Sequence, residues 1–256
     1  MAFLARWLTI HTVPRADRVV QVDELVATDQ LSEAELRVAL GHELRRNYVS
    51  RTALEAIFTD LGAPEVAKHL RNNILPEQVH VRHGEFGEAL TAAHFRTVLR
   101  YCVPVLKLRF KQGRDRPVFG ADVIAFKLRE QPPVIAVPEA KTLANRDLNI
   151  GKEGYDSLEK VLSRMDQSLQ FVIAVLDARG NATLAARVGT LLRGERTIER
   201  HIMLVHEKSC WDDRVLERLS EVATQPVHVT VLRLGGLRAL VAAAYDAAAE
   251  DLARGA

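Results

Sequence analysis

From about residue 81 to the end, strand-like apolar runs alternate with amphipathic helical segments, and this alternation limits the folds open to the chain. Strands separated by helices predict an α/β sheet whose two faces are both covered by helices. In chain order we expect a helix at 84–99, strands at 103–110, 118–126 and 133–141, a helix at 154–169, a strand at 170–178, strands at 201–207 and 227–234, and helices at 212–223 and 237–253.

The first 80 residues have a different character and predict a small, mostly helical appendage. Residues 2–24 are typical of two short strands around a turn at 14–17, and the pattern becomes helical from Ser32. Ser32 followed by Glu35 forms a capping box, and Ser50 or Thr52 is a second capping signal. We therefore expect an N-terminal region over 1–80 and a main α/β domain over 81–256.

Composition excludes several classes of protein. The formal net charge is only +2, so a basic surface for nucleic acid has to be local. The two cysteines, Cys102 and Cys210, form neither a disulfide framework nor a metal-ligand spacing, and we expect buried thiols. No apolar run reaches the roughly 18 residues of a membrane span, and the start lacks the pattern of a signal peptide. A cytoplasmic protein without membrane association is expected.

Glu139 and Lys141 close the strand-like run at 133–141. Because side chains alternate along a strand, both point to the same face, which places a carboxylate beside an ammonium at the end of a buried strand. Such a pair is either a simple strand-end ion pair or part of a catalytic site.

Asp122 lies inside the run at 118–126, which is apolar on both faces and is therefore expected to be a central strand. An ionised carboxylate there is costly unless it is paired or bound to metal. If this strand neighbours the one that carries Glu139, the two carboxylates meet, and Mg²⁺ or Mn²⁺ would relieve their repulsion. The alternative is a turn or bulge residue that pairs with an arginine.

Glu88 shares a face of the predicted helix at 84–99 with Ala92, Phe95 and Leu99. An acid on this apolar stripe needs a counter-charge in the core, which Lys141 or a metal ion would supply. Glu85, one turn earlier, is the competing candidate. The alternative role, an acid favoured by the N-terminal helix dipole, fits Glu85 better than Glu88.

The order of these elements and residues resembles the PD-(D/E)xK nuclease superfamily, whose core is αβββαβ. Glu88 matches the acid of the first helix, Asp122 that of the second strand, and Glu139 and Lys141 those of the third, although Ala121 stands where the family has proline. The segments GEFGEAL, VFGAD and PEAKTL together resemble HamA, the nuclease subunit of Hachiman antiphage systems. The recognisable motifs cover about residues 80–180.

The resemblance implies a restriction-endonuclease-like fold and a DNA-cleaving enzyme dependent on Mg²⁺ or Mn²⁺. Asp122 and Glu139, with the carbonyl of Ala140, would hold one ion, and Glu88 would bind a second ion or orient a water. Lys141 would position the attacking water and offset phosphate charge. A helicase subunit resembling HamB is the implied partner.

A cluster of basic residues at 107–116 is a second candidate site. The predicted strand at 103–110 places Lys107, Arg109 and Lys111 on one outer face, and Arg114 and Arg116 extend the cluster into a turn. These residues either follow a phosphate backbone or form an ordinary solvated sheet face.

Two alternatives to a defence nuclease stay open. One is a restriction-type or repair nuclease of the same superfamily with another partner. The other is a non-catalytic nucleic-acid-binding or scaffold subunit on this fold, since a fold does not by itself imply an activity.

Overall fold

The computed structural model describes residues 3–15, 19–116, 118 and 120–250. Ala16 and Asp17 of the predicted turn at 14–17, and residues 251–253 of the predicted last helix, lie outside these ranges. So does Phe119 within the predicted strand at 118–126. In the described part of the chain, no helix is both long and apolar enough to cross a membrane.

One mixed sheet of six strands forms the centre of the described residues, in the order β1-β2-β6-β5-β4-β3. The inner strands β2, β6, β5 and β4 run parallel, while β1 and β3 pair antiparallel at the two edges. The strands are β1 (Leu8–Val13), β2 (Val20–Ala27), β3 (Ala125–Lys127), β4 (Val134–Leu143), β5 (Thr197–Glu207) and β6 (Val227–Leu234).

Helices cover both faces of this sheet, as the α/β prediction requires, because parallel inner strands bury both of their faces. The helices are α1 (Phe3–Trp7), α2 (Glu33–Tyr48), α3 (Arg51–Leu61), α4 (Ala63–His69), α5 (Val79–Thr97), α6 (Ile150–Leu162), α7 (Met165–Ala178), α8 (Ala182–Gly189), α9 (Arg214–Val222) and α10 (Leu237–Glu250). One core lies between the sheet and α6 to α9, and another lies between the sheet and α2, α5 and α10. The α/β fold class is confirmed.

The N-terminal segment is built into the same sheet. Strand β2 pairs with β6, and the helical prediction from Ser32 is confirmed, with the Ser32–Glu35 capping box and Ser50 capping α3. Helix α2 crosses α10 so closely that a Cβ on Gly41 would lie 2.7 Å from Cβ of Ala247. The predicted boundary at residue 80 falls at the start of α5, and the strands on its two sides share one sheet.

The predicted strand at 103–110 is wrong. Residues Lys107–Phe110 form a single 3₁₀ turn, and nearby only Cys102 makes an isolated bridge, to Phe126. The alternation of apolar and basic residues misled the prediction because two of the basic residues, Lys107 and Lys111, point inward to carboxylates. Cys102 is exposed and Cys210 half-buried, so the expectation of two buried thiols is also wrong.

The predicted central strand at 118–126 is largely wrong as well. Only Ala125–Lys127 is a strand, and it lies at the sheet edge. The segment is apolar on both sides because Ala121 and Ile124 pack into one core cluster while Val123 packs into another, without regular pairing. Asp122 therefore sits in irregular backbone that runs alongside β4.

The predicted strand at 170–178 is part of helix α7. Its buried residues Leu169, Val172, Val175 and Leu176 follow helical spacing, whereas Phe171 is exposed. A short apolar run fits a buried strand and a helix equally well by periodicity, and the longer helical context decides the outcome here.

Candidate active site

Strand β4 presents Glu139 and Lys141 on the face covered by α6. Lys141 Nζ lies 3.0 Å from Glu139 Oε1 and 3.4 Å from Ser157 Oγ of α6. The Glu139 side chain is only 10% exposed, and that of Lys141 24%. The predicted strand is therefore present, and Glu139 and Lys141 lie on the same face of it. Of the two side chains, Lys141 is the more exposed to solvent.

Asp122 lies at the edge of β4, beside the part of this strand that extends beyond its pairing with β3, level with Ala140, the residue between Glu139 and Lys141. Its Oδ2 accepts a hydrogen bond of 2.9 Å from the backbone N–H of Ala140. The N–H and C=O of one strand residue point to the same side of the strand, so the Ala140 carbonyl also points toward this edge. The structure thus brings Asp122 to the Glu139–Lys141 strand end, although not through the expected strand pairing.

Helix α5 brings Glu88 to the same edge from the opposite face of the sheet. The approach depends on Gly87, because a Cβ at that position would lie 2.1 Å from Thr142 Oγ1 of β4. Glu88 and Glu139 therefore approach β4 from opposite faces, and Asp122 lies at the edge between them. Sequence periodicity predicted the helix but not this close packing.

Lys107 joins Glu88 to Asp122. Its Nζ lies 2.8 Å from Asp122 Oδ1 and 3.2 Å from Glu88 Oε2, and the three side chains are at most 17% exposed. The predicted position of Lys107 on an outer strand face is wrong, because its ammonium is the internal counter-charge of the site.

Burial and mutual repulsion perturb the carboxylates. Burial, reinforced by the charge of Asp122, raises the pKa of Glu88 to about 8. The same two causes raise the pKa of Glu139 to about 6, against the opposing effect of Lys141. Burial disfavours the charged form of Lys107, but Asp122 and Glu88 outweigh it and raise the pKa of the ammonium. Strongly perturbed groups that surround one carboxylate are typical of functional sites.

Glu85 belongs to a separate buried network one turn away. It accepts hydrogen bonds from the Tyr48 hydroxyl and from Lys111 Nζ, and Tyr48 contacts the Tyr245 hydroxyl at 2.9 Å. Of the two glutamates considered for the helix, Glu88 is the one that shares Lys107 with Asp122.

Two further members of the predicted basic cluster, Arg109 and Arg114, make internal hydrogen bonds. Arg109 donates two hydrogen bonds to the Arg46 carbonyl, and Arg114 donates to the Arg71 and Asn72 carbonyls and to Glu77. The continuous basic strand that was expected is therefore absent from the described residues. Binding of nucleic acid by Arg109, Arg114 and Arg116 stays a prediction.

The oxygen donors at the site are of the kinds that bind a divalent cation, but they are not grouped as metal ligands in this structure. Carboxylate and carbonyl oxygens suit Mg²⁺ or Mn²⁺, and Asp122 repels both neighbouring glutamates, which a bound cation would relieve. Within the described ranges, however, no three His, Cys, Asp or Glu side chains group closely enough to hold an ion. Lys107 supplies the counter-charge instead.

Comparison with protein families agrees with the sequence motifs. The HamA family model matches residues 1–248, which is nearly the whole chain and includes every element of the site. The chain belongs to the HamA family. HamA membership associates the protein with antiphage defence and confirms the resemblance drawn from the motifs. No curated protein matches the chain.

The HamA match also spans residues 1–80, which carry no recognisable motif of their own. Two features of this HamA site were not predicted from the sequence: the inward position of Lys107 and the contact between Lys141 and Ser157. The apolar residues just before Lys107 are a weak indication that this lysine is buried. The local pattern does not identify the carboxylates with which it pairs.

Proposed function

We propose that this HamA protein is a metal-dependent DNA nuclease that hydrolyses phosphodiester bonds as an effector of antiphage defence. The observation that carries the proposal is the position of Asp122, held by the Ala140 N–H at the end of β4 between Glu139 and Lys141. It places carboxylates, a backbone carbonyl and an ammonium at one sheet edge. These are the types of group that metal-assisted hydrolysis requires.

Each residue has a defined task in this mechanism. Asp122, Glu139 and the Ala140 carbonyl would hold Mg²⁺ or Mn²⁺, with Glu88 as a further carboxylate. When bound, such an ion activates water and stabilises charge on the phosphate. Lys141 contacts Glu139 and lies at the more exposed end of the pair, where its ammonium orients the attacking water and offsets phosphate charge. Lys107 holds Asp122 and Glu88 in place from the buried side.

The partner proposal rests on family membership. The match to HamA fits a component of a Hachiman system, and we infer that a helicase subunit resembling HamB delivers DNA to the site. Co-purification of the two full-length proteins, with and without DNA, tests this part independently of cleavage.

A cleavage assay with purified full-length protein tests the activity. We expect DNA cleavage with Mg²⁺, loss of cleavage with EDTA, and a fall of at least about 100-fold in rate for Lys141→Ala and Glu139→Ala. Lys152→Ala is a matched control because Lys152 forms an exposed ion pair with Asp156. Thermal melting verifies that each variant folds. Undiminished cleavage by Lys141→Ala would remove this mechanism.

A non-catalytic binding subunit is the second candidate, and Lys107 is the observation in its favour. An ammonium that contacts two buried carboxyl groups is also what a purely structural ion-pair network contains. In that case the protein binds DNA equally with Mg²⁺ and with EDTA, and no cleavage appears under either condition.

A further inference from the structure

A cleft of about 500 Å³ opens beside Asp122 and is not used by the mechanism above. Asp122 and Lys107 form part of its inner wall, and Lys160, Arg164, Gln167 and Phe171 from α6, α7 and the turn between them form the opposite side. A volume in this range is typical of a site for a small molecule or a nucleotide-sized group.

The charge of this cleft favours an anion. Lys160 and Arg164 are exposed, and no side chain among the residues that the structure describes pairs with either head group. Asp122 is the acid of the wall, and Lys107 already pairs with it. The head groups of Lys160 and Arg164 are therefore available to bind an anion in the cleft.

The same cleft is lined by an exposed aromatic side chain, Phe171. Phe171 is 41% exposed, and its ring packs edge-on against Phe110 with 5.4 Å between centroids. The Arg179 guanidinium lies 5.5 Å from the Phe110 ring. An exposed ring that a second ring holds in place is suited to stacking of a base, at little further cost in side-chain freedom.

The cleft and the catalytic residues meet along helix α6. Ser157 of α6 contacts Lys141, and Lys160 follows about one turn later on the same helix. Arg164 lies in the turn that joins α6 to α7. Beyond Phe110, Arg109 lies close enough to Arg179, Arg46 and Arg96 for their charges to lower its pKa, although burial is the larger cause. Cationic groups thus continue from the catalytic strand end past the aromatic pair.

We propose that this cleft binds a single strand of DNA, with phosphates at Lys160 and Arg164 and a base stacked on Phe171. The inference rests on the proposed nuclease function and names its substrate as a single-stranded segment. A duplex is too wide to enter a cleft of about 500 Å³, whereas one unstacked nucleotide fits. The strand leads from Phe171 toward Asp122.

Fluorescence anisotropy in EDTA tests the site without cleavage. The probe is a fluorescein-labelled oligothymidine of about 12 nucleotides, compared with a blunt hairpin duplex. We expect Lys160→Gln with Arg164→Gln to weaken binding of the single strand about tenfold and to lower the salt slope by about 1.4, since each contact contributes about 0.7. Phe171→Leu should weaken it about fivefold or more, and Phe171→Tyr should bind normally.

Matched controls separate this cleft from general surface charge. Arg193→Gln with Lys208→Gln removes two exposed cations elsewhere, and Phe58→Leu removes another exposed ring, of 37% exposure. Each should stay within about twofold of the parent protein. Equal losses in the cleft and control variants, absence of single-strand binding, or tighter binding of the hairpin would each overturn the proposal.

Failure of this inference and failure of the catalytic proposal give different experimental results. Binding that depends on the cleft, without Mg²⁺-dependent cleavage, retains this inference and rejects the nuclease. If the protein cleaves DNA but the cleft variants bind the single strand as tightly as the parent protein, the nuclease proposal is retained and this inference is rejected.

Discussion

Replacement of Lys107 by methionine is the most direct probe of the site's electrostatics. The substitution keeps an unbranched side chain of similar length and removes the ammonium that lies 2.8 Å from Asp122 and 3.2 Å from Glu88. Asp122 is then left as a buried charge without its counter-charge, beside Glu88, whose pKa is already raised to about 8. We expect lower stability, with recovery when a divalent cation takes the place of the ammonium.

The size of the loss follows from burial. Removing one partner of a buried ion pair typically costs about 3–5 kcal/mol. At about 2–4 °C per kcal/mol for a chain near this length, the melting temperature should fall by roughly 6–20 °C in EDTA. Mg²⁺ at ten times its Kd should return about 1.4 kcal/mol to Lys107→Met. The gain in the parent protein should be smaller, because the cation competes there with the ammonium.

The assay is thermal and urea unfolding in EDTA and in Mg²⁺. Lys152→Met is the matched control, because its ion pair with Asp156 is nearly half exposed and is expected to contribute about 0.5 kcal/mol. Adding Asp122→Asn to Lys107→Met should restore about 1–3 kcal/mol, since the buried charge is removed with its partner. A loss below about 1 kcal/mol for Lys107→Met would refute the reasoning that this ammonium is the counter-charge.

Two further predictions concern packing and pH. Gly87→Ala should destabilise the protein by about 1–2 kcal/mol and slow cleavage, because the added Cβ would overlap Thr142 Oγ1. Combining Gly87→Ala with Thr142→Ala should recover both stability and cleavage rate. Urea unfolding and cleavage rates of the two variants check this prediction. Burial, with a smaller effect of His201, lowers the pKa of His94 to about 4. The neutral ring therefore contributes stability above pH 6.5 that is lost as pH falls toward 4, about 2 kcal/mol by pH 5. His94→Phe should unfold with less pH dependence in this range, and an unchanged slope would contradict it.

Local pattern predicted the elements whose signals lie within a few residues of each other. Strand β4 was predicted because its apolar run is continuous, and Glu139 and Lys141 share a face through the two-residue repeat. The capping box of Ser32 and Glu35 is likewise a contact within one turn.

Prediction failed where an apolar run fits more than one element. Helix α7 was read as a strand from residues 170–178 alone, and the turn at Lys107–Phe110 was read as a strand from an alternating pattern. In the second case two of the three basic residues of the alternation, Lys107 and Lys111, are buried rather than solvated. Nothing local distinguishes a buried lysine from an exposed one, because its cost depends on the partner.

The sequence by itself determined the α/β class, the strand that carries the Glu-x-Lys pair and the helix that carries Glu88, since these depend on periodicity and capping over short distances. Only the tertiary structure decided that Asp122 meets the Ala140 N–H, 18 residues away, and that Lys107 turns inward to Asp122, 15 residues away. It also decided that β2 joins the common sheet beside β6. The physical reason is that a buried charge and a strand edge are stabilised by partners distant in the chain, which no local pattern specifies.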